Sequence, residues 1–325
     1  MRTMVEHLEP PDGGSVVTIG TFDGVHLGHR GLIMRSIERA RELSATSVAL
    51  TWDRHPAATL RPDKTPPLLS SSERKIELLS ETGIDVAAIL AFDQSFSQRS
   101  PEEFIEDTLV RDLGARAVYV GHDWRFGHKA AGSVALLAEH GEKAGFTVHG
   151  VELQQVAGAP VSSSRVRAAI GDGDMELARV LLGRPYDVDG MVVRGAARGK
   201  ELGFPTANLE VEASLARPPL GVYAGVARVG DARRAAAISV GVNPTFGGEV
   251  GKSPVTIEAF LLDFSTEIYG ETVRLEFWKR LRDELRFESV ESLIEQMRQD
   301  VEDTRATVGT IQLGQGRAAS INPNA

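Results

Sequence analysis

The chain has 325 residues, enough for about two domains at ~100–200 residues each. Hydrophobic residues make up 42% and charged residues 25%, ordinary values for globular proteins that exclude wholesale disorder. A formal charge of −9 speaks against a general nucleic-acid binder, and the absence of cysteine excludes disulfides, thiolate catalysis and iron–sulfur centres.

The N-terminal stretch MRTMVEHLEPPDGG has no apolar core of signal-peptide length. No segment approaches the ~18 apolar residues of a membrane span. The expectation is a cytoplasmic chain with neither membrane nor nucleic acid as a partner.

Strand-like and helix-like runs then alternate. VVTIG at 16–20 reads as a buried strand, and a helix follows from about Leu27 to Leu43 with Leu32, Ile33, Ile37 and Ala40 on one stripe. SVALTW (47–52), VAAILAF (86–92), AVYVG (117–121) and TVHGVEL (147–153) are further strands. Helices are predicted between them near 72–82, 101–113 and 132–144. This alternation predicts βαβ units, a parallel sheet covered on both faces, and ligands at the carboxyl ends of its strands.

After a short helix near 174–182 and the turn GRP, strands dominate: DVDGMVVRG, GVYAGVARV, AAAISVGV, VTIEAFLLDF and TVRLEFW. The next helix is Ser289–Thr304, where Val290, Leu293, Ile294, Met297 and Val301 form one face. This pattern predicts an antiparallel barrel capped by a C-terminal helix. The fold class is therefore α/β plus β. We place an N-terminal Rossmann-like α/β domain at 1–183 and the barrel domain at 184–307. Residues 308–325 are expected to be a disordered tail.

Four N-terminal segments carry chemistry. TIGTFDGVHLGHRGLI (18–33) sets a strand end, a turn built on Gly20, Phe22, Asp23 and Gly24, and then His26 and His29 at a helix start. Backbone N–H groups and the positive helix end favour a phosphate there. Two histidines three apart share a helical face, so both rings can reach one phosphate; a zinc pair or two solvated surface histidines is the competing reading. TWDRHPAATL (51–60) follows the next strand, where His55-Pro56 could close a pocket. VGHDWRFGHKAAG (120–132) carries Asp123, Arg125 and Phe126; Trp124 and Phe126 read as packing residues, with a flavin or adenine as a plausible neighbour. VSSSRVRAAI (161–170) leads Ser163 and Ser164 into a helix bearing Arg165 and Arg167. Hydroxyls at a helix start cap the helix and also suit phosphate.

In the C-terminal half, VRGAARGKELGFPTANLEV (193–211) combines Gly195, Gly199 and Gly203 with Arg198 and Lys200. Thr206 and Asn208 follow, two apart on an extended segment and so on one face. Two neutral oxygens together with ATP phosphates make a reasonable Mg²⁺ environment, and a plain Gly-rich hairpin is the competing reading. Glu258 interrupts the apolar run VTIEAFLLDF. It is either a general base or an acid placed on the solvent face or in an ion pair. VNPTF (242–246) marks a turn, and Arg282 or Glu284 in LRDELRF is a candidate ligand contact.

TFDGVH, the HP segment, GHDWRFG and VSSSRVR resemble the FMN adenylyltransferase module of the bacterial bifunctional riboflavin kinase/FAD synthetase family. GFPTANL, GVYAG, VNPTF, IEAFLLDF and LRDELRF resemble its riboflavin kinase domain, in the family's order. The resemblance spans about 16–305. It implies phosphorylation of riboflavin to FMN with ATP, then adenylylation of FMN to FAD with release of pyrophosphate. It implies that His26 and His29 handle phosphate and that Gly20, Phe22, Asp23, Gly24, Ser163, Ser164 and Arg167 bind nucleotide. Gly199, Lys200, Gly203, Thr206 and Asn208 take ATP, with Mg²⁺ on Thr206 and Asn208. It further implies that Glu258 is the base and that Asp123, Phe126, Arg282 and Glu284 lie near flavin. Departures from the pattern are HKAAGS at 128–133, TWDRHP at 51–56 and Ala196 after Gly195. The HKAAGS segment raises one alternative, a kinase with an impaired adenylyltransferase half; a flavin-sensing module without catalysis is a second.

Overall fold

The computed structural model describes residues 1–5, 8–195, 202–242 and 255–315. The chain forms two compact units, Met1–Arg165 and Val166–Ala325.

The first unit is built on a six-stranded sheet. Its strands are β1 (Arg2–Val5), β2 (Ser15–Ile19), β3 (Thr46–Trp52), β4 (Val86–Leu90), β5 (Ala115–Gly121) and β6 (Thr147–Val151). They lie in the order β1-β4-β3-β2-β5-β6, and every pairing is parallel. Sequence reading missed β1, because four largely exposed residues on a sheet edge carry no apolar run.

Helices cover both faces. Val17, Ile19, Val48, Leu50, Val118 and Val120 pack with Phe104, Ile105 and Leu109 of the helical segment 101–112, which is π-helical over Phe104–Asp112. On the other face, Ala49 and Ala87 meet Ile33 and Ile37 of α1 (Leu27–Leu43) and Leu78 and Leu79 of α2 (Ser72–Ser80). Alternate strand residues thus serve opposite cores, which is why these strands read as continuous apolar runs. α3 (Val134–Ala144) returns the chain to β6.

α4 (Ser163–Gly171) straddles the division between the units, and α5 (Met175–Leu182) belongs to the second. The compact units therefore divide at 165/166, ahead of the 183/184 at which the barrel domain is expected to begin. The reason is packing: α5 buries Met175, Ala178, Leu181 and Leu182 and lies against barrel strands.

The barrel has six strands: β7 (Tyr186–Val193), β8 (Ala207–Val211), β9 (Gly221–Val229), β10 (Ala232–Val242), β11 (Val255–Leu261) and β12 (Thr272–Arg282). They close in the order β7-β8-β11-β10-β9-β12, all antiparallel. The interior is filled by Tyr186, Tyr223, Phe277, Ile257, Ala259 and their neighbours.

α6 (Val290–Gln315) packs on β9, β10 and β12. It corrects the expected tail: residues 308–315 are helical, and the expected helix end at Thr304 is too early. Buried Thr304 and Val308 extend the stripe of Val301, and Val308 packs on Val226 and Trp278. That contact outweighs the propensity cost of Gly309. Residues 316–325 lie outside the described residues.

Two candidate active sites

The first site forms where β2 ends. Phe22 and Val25 adopt left-handed backbone, φ 48° and 39°, a strained state for a β-branched residue. It is held because both side chains are fully buried. Asp23 adds a clamp by accepting the N–H groups of Leu69 (2.8 Å) and Ser70 (3.3 Å) through Oδ1. The Gly24 N–H donates to Ser70 Oγ, and Ser163 Oγ donates to the Asp23 carbonyl at 3.2 Å.

This turn delivers His26 to the N-cap of α1, where its Nδ1 accepts the His29 N–H. The two imidazoles stack with centroids 3.6 Å apart. His26 is buried and backs His29, which faces a cavity of about 770 Å³. Gly20, Thr21 and Gly28 line it beside His29. Its far walls are aromatic: Trp52, Phe92, Phe96, Phe104, Trp124 and Phe126, the last two stacked at 4.6 Å. Arg61, Arg99, Arg125, His128 and Lys129 line it too, against the single acid Glu152. A cationic cavity with flat apolar walls suits a phosphorylated aromatic ligand.

The expected residues divide accordingly. Gly20, His29 and Phe126 line the cavity. His26, Phe22, Asp23 and Gly24 build the turn behind it, with Phe22 in the core and the Asp23 carboxylate spent on backbone N–H groups. Asp123 is exposed and does not line the cavity; nor do Ser163, Ser164 and Arg167. Ser163 ties α4 to the turn, while Ser164 is exposed. Arg167 falls in the second unit. Arg165 clamps the carbonyls of Val156 (2.7 Å) and Ala159 (2.8 Å), so its guanidinium serves a loop. His55 caps a short helix through Nδ1. Sequence reading missed Trp52, Phe92, Phe96, Arg61 and Arg99. Trp52 and Phe92 stand at or just past a strand's carboxyl end, where the parallel-sheet rule directs attention; Phe96 lies in the short helix Gln94–Ser97.

The second site lies on the outer face of the barrel. Along β11, Ile257, Ala259 and Leu261 are buried in the interior, so Thr256, Glu258 and Phe260 point the other way. This resolves the acid in an apolar run: it alternates out of the core. Glu258 is the register partner of Asn208 on β8 and of Ser239 on β10. Its Oε2 accepts a hydrogen bond from Thr206 Oγ1 at 3.0 Å. The Asn208 side chain packs so closely on Gly195 that a Cβ there would collide with it.

Glu258, Thr206 and Ser239 line a cavity of about 800 Å³. Phe204 and Phe260 form an edge-to-face pair on its wall, and Leu293, Met297 and Val301 of α6 lie opposite. The helix stripe legible in the sequence thus serves the site as well as the core. Arg282 and Glu284 also line the cavity. Arg282 is not a free cation: Asp300 of α6 takes its Nε (2.8 Å) and Nη2 (2.7 Å) in a fork, and Gln296 donates to the same carboxylate at 3.0 Å. Asp300 was missed, since an isolated acid on an amphipathic helix carries no signal. Gly203 is described; Gly199, Lys200, Ala196, Arg198 and Asn243 to Thr245 lie outside the described residues.

The donors around Glu258 are all oxygens: a hydroxyl, an amide and one carboxylate. Among the described residues no cluster of three or more His, Asp or Glu could cage a metal. A hydroxyl and an amide oxygen suit Mg²⁺, which keeps waters and shares substrate phosphates.

Comparison with known proteins separates two modules. The FAD synthetase family model matches residues 8–165 and the riboflavin kinase model residues 182–308. A bifunctional riboflavin kinase/FMN adenylyltransferase of Listeria monocytogenes is 37% identical over 91% of this chain and 93% of its own. The protein of that description from Bacillus subtilis is 36% identical over 89% and 91%. A solved structure from Streptococcus pneumoniae, described as a macrolide-efflux protein, superposes with a TM-score of 0.85 at 31% identity, covering 94% of this chain and 99% of that one. Among the described residues no helix is long and apolar enough to cross a membrane. With both modules matched in order over nine-tenths of its length, the chain belongs to the bifunctional riboflavin kinase/FMN adenylyltransferase family.

Proposed function

We propose that the barrel phosphorylates riboflavin to FMN with ATP and that the α/β unit adenylylates FMN to FAD, releasing pyrophosphate. One observation carries the reading: Glu258, in an outer-face carboxylate–hydroxyl pair with Thr206, opens on a large cavity.

In the barrel, the riboflavin 5′-hydroxyl attacks the ATP γ-phosphorus. The bond to the β,γ-bridging oxygen breaks, and ADP leaves. Glu258 accepts the hydroxyl proton, with the Thr206 hydrogen bond fixing its carboxylate orientation. Thr206 and Asn208 would hold Mg²⁺ together with the ATP phosphates, where the ion offsets phosphate charge. Phe204, Phe260 and Met297 supply apolar walls for the flavin ring, and the Asp300-held Arg282 fixes one edge.

In the α/β unit, an FMN phosphate oxygen attacks the ATP α-phosphorus and pyrophosphate departs. His29, backed by stacked His26, stabilises the departing negative charge, and the strained turn before α1 fixes its position. The aromatic walls take the flavin, with Phe126 among them. Arg61, Arg99 and Lys129 offset its phosphate charge. Ser163 holds the turn that carries His29 through its bond to the Asp23 carbonyl.

A product time course tests this. Riboflavin, ATP and Mg²⁺ are incubated with the protein and the flavins are separated. FMN rising first and then converting to FAD is expected. FMN without FAD overturns the adenylyltransferase half, and neither product overturns both.

A further inference from the structure

One buried cation has no place in either reaction as written. Lys75 on α2 is only 9% exposed. Its ammonium donates to the carbonyl of Trp52, the last residue of β3, at 2.7 Å. The carboxylates of Asp23 and Asp53 act on it electrostatically, and burial pushes its pKa down against them. It closes one side of a cavity of only about 20 Å³, lined also by Thr21, Asp23, Asp53, His55 and Ser70.

Each group around it controls a loop of the adenylylation cavity. Asp23 pins the strained turn that presents His29. Asp53 accepts the Phe92 N–H at 2.8 Å, joining the loop after β3 to the segment after β4. The Trp52 carbonyl lies on the residue whose ring forms one cavity wall. A neighbouring leucine, Leu79, fills the same helix's core face with hydrocarbon alone. An ammonium at Lys75 is costly to bury, and local helix packing does not require it.

We propose that Lys75 is a positioning residue for adenylyl transfer, tying the loops after β2 and β3 so that His29 and the Trp52–Phe92 wall hold a fixed relation. It touches neither substrate; it acts through Asp23, Asp53 and the Trp52 carbonyl. The proposal rests on the adenylyltransferase reading of this unit, and the wild-type control separates the two. No FAD from the wild-type protein overturns that reading and Lys75's role with it. FAD from wild type with an unaltered variant overturns the role of Lys75 alone.

The test is steady-state kinetics of Lys75→Met in the full chain, with FMN as substrate. Measurements are made at low temperature, where circular dichroism shows a native spectrum and a merely destabilised variant is folded. The expected result is a kcat for FAD formation lowered about 30-fold, as misplacement of reacting groups predicts, with the KM for ATP little changed. FMN formation from riboflavin stays at the wild-type rate. Lys75→Arg, which keeps a cation, recovers part of the loss. Wild-type kcat in Lys75→Met overturns the proposal, as does a loss no larger than the unfolded fraction. If Lys75→Met does not fold, Lys75→Gln retains a donor for the Trp52 carbonyl and is measured identically; wild-type kcat there overturns the proposal equally.

Discussion

All eight histidines lie within the first 149 residues, and the barrel unit has none. The two sites differ in kind as well as in place. The α/β cavity is lined by imidazoles, guanidiniums and a single carboxylate; the barrel cavity has no imidazole and sets Glu258, Glu284 and Asp300 beside Arg282, Arg286, hydroxyls and an apolar helix face. The difference follows the chemistry each must do. Departing pyrophosphate brings negative charge that cations must offset, whereas an attacking alcohol brings a proton that a base must take.

The sharpest way to break this contrast is Glu258→Gln. It keeps the shape and a hydrogen-bond partner for Thr206 but removes the base. FMN formation should fall about 10²–10⁴-fold, while FAD formation from supplied FMN is unchanged. Equal loss of both activities would mean that the sites are not independent. Next is His29→Ala, which should lower FAD formation about 10²–10³-fold and leave FMN formation intact. His26→Ala should cost less, because His26 is buried behind His29 and acts through the stack. A larger effect at His26 would reverse these roles.

The units were legible in the sequence to different depths. Strand alternation, His26–His29 and Glu258 could be read because periodicity and local motifs encode them. The cavity walls could not. Trp52 comes from the end of β3 and Phe92 and Phe96 from the segment after β4, and nothing in a one-dimensional pattern marks their meeting. Asp123 and Phe126 sit in one motif, yet only Phe126 turns inward. Arg282 was visible as a cation but not as half of a fork, since Asp300 stands 18 residues later on another element.

That fork gives an intermediate effect. Asp300→Asn keeps the volume and removes the charge that fixes Arg282. A charge-assisted bidentate contact is worth about 1.5–3 kcal/mol, so the KM for riboflavin should rise about tenfold or more with a smaller change in kcat. Unchanged KM would place Arg282 outside the flavin's reach and leave the fork as a clasp between α6 and the barrel. FMN adenylylation is the internal control, and it should not move.

The smallest effect concerns acid stability, where the histidine asymmetry makes a directional forecast. His149 on β6 stacks on Tyr119 with centroids 4.5 Å apart. Burial, and then the nearby Arg39 charge, hold its pKa below the ordinary histidine value. The unfolded chain therefore binds a proton at His149 that the folded chain refuses. This contribution to stability is fully present above the unfolded value and is lost as pH falls below it. Calorimetry at about pH 7.5 and about pH 5.5, on either side of the unperturbed value near 6.5, should show the α/β transition moving down in acid. In His149→Phe, which keeps a ring on Tyr119 but has no proton to bind, the α/β transition should move down less. The barrel transition, with no histidine, should lack this component in both proteins. An identical acid shift in wild type and variant would assign the loss of stability to groups other than His149.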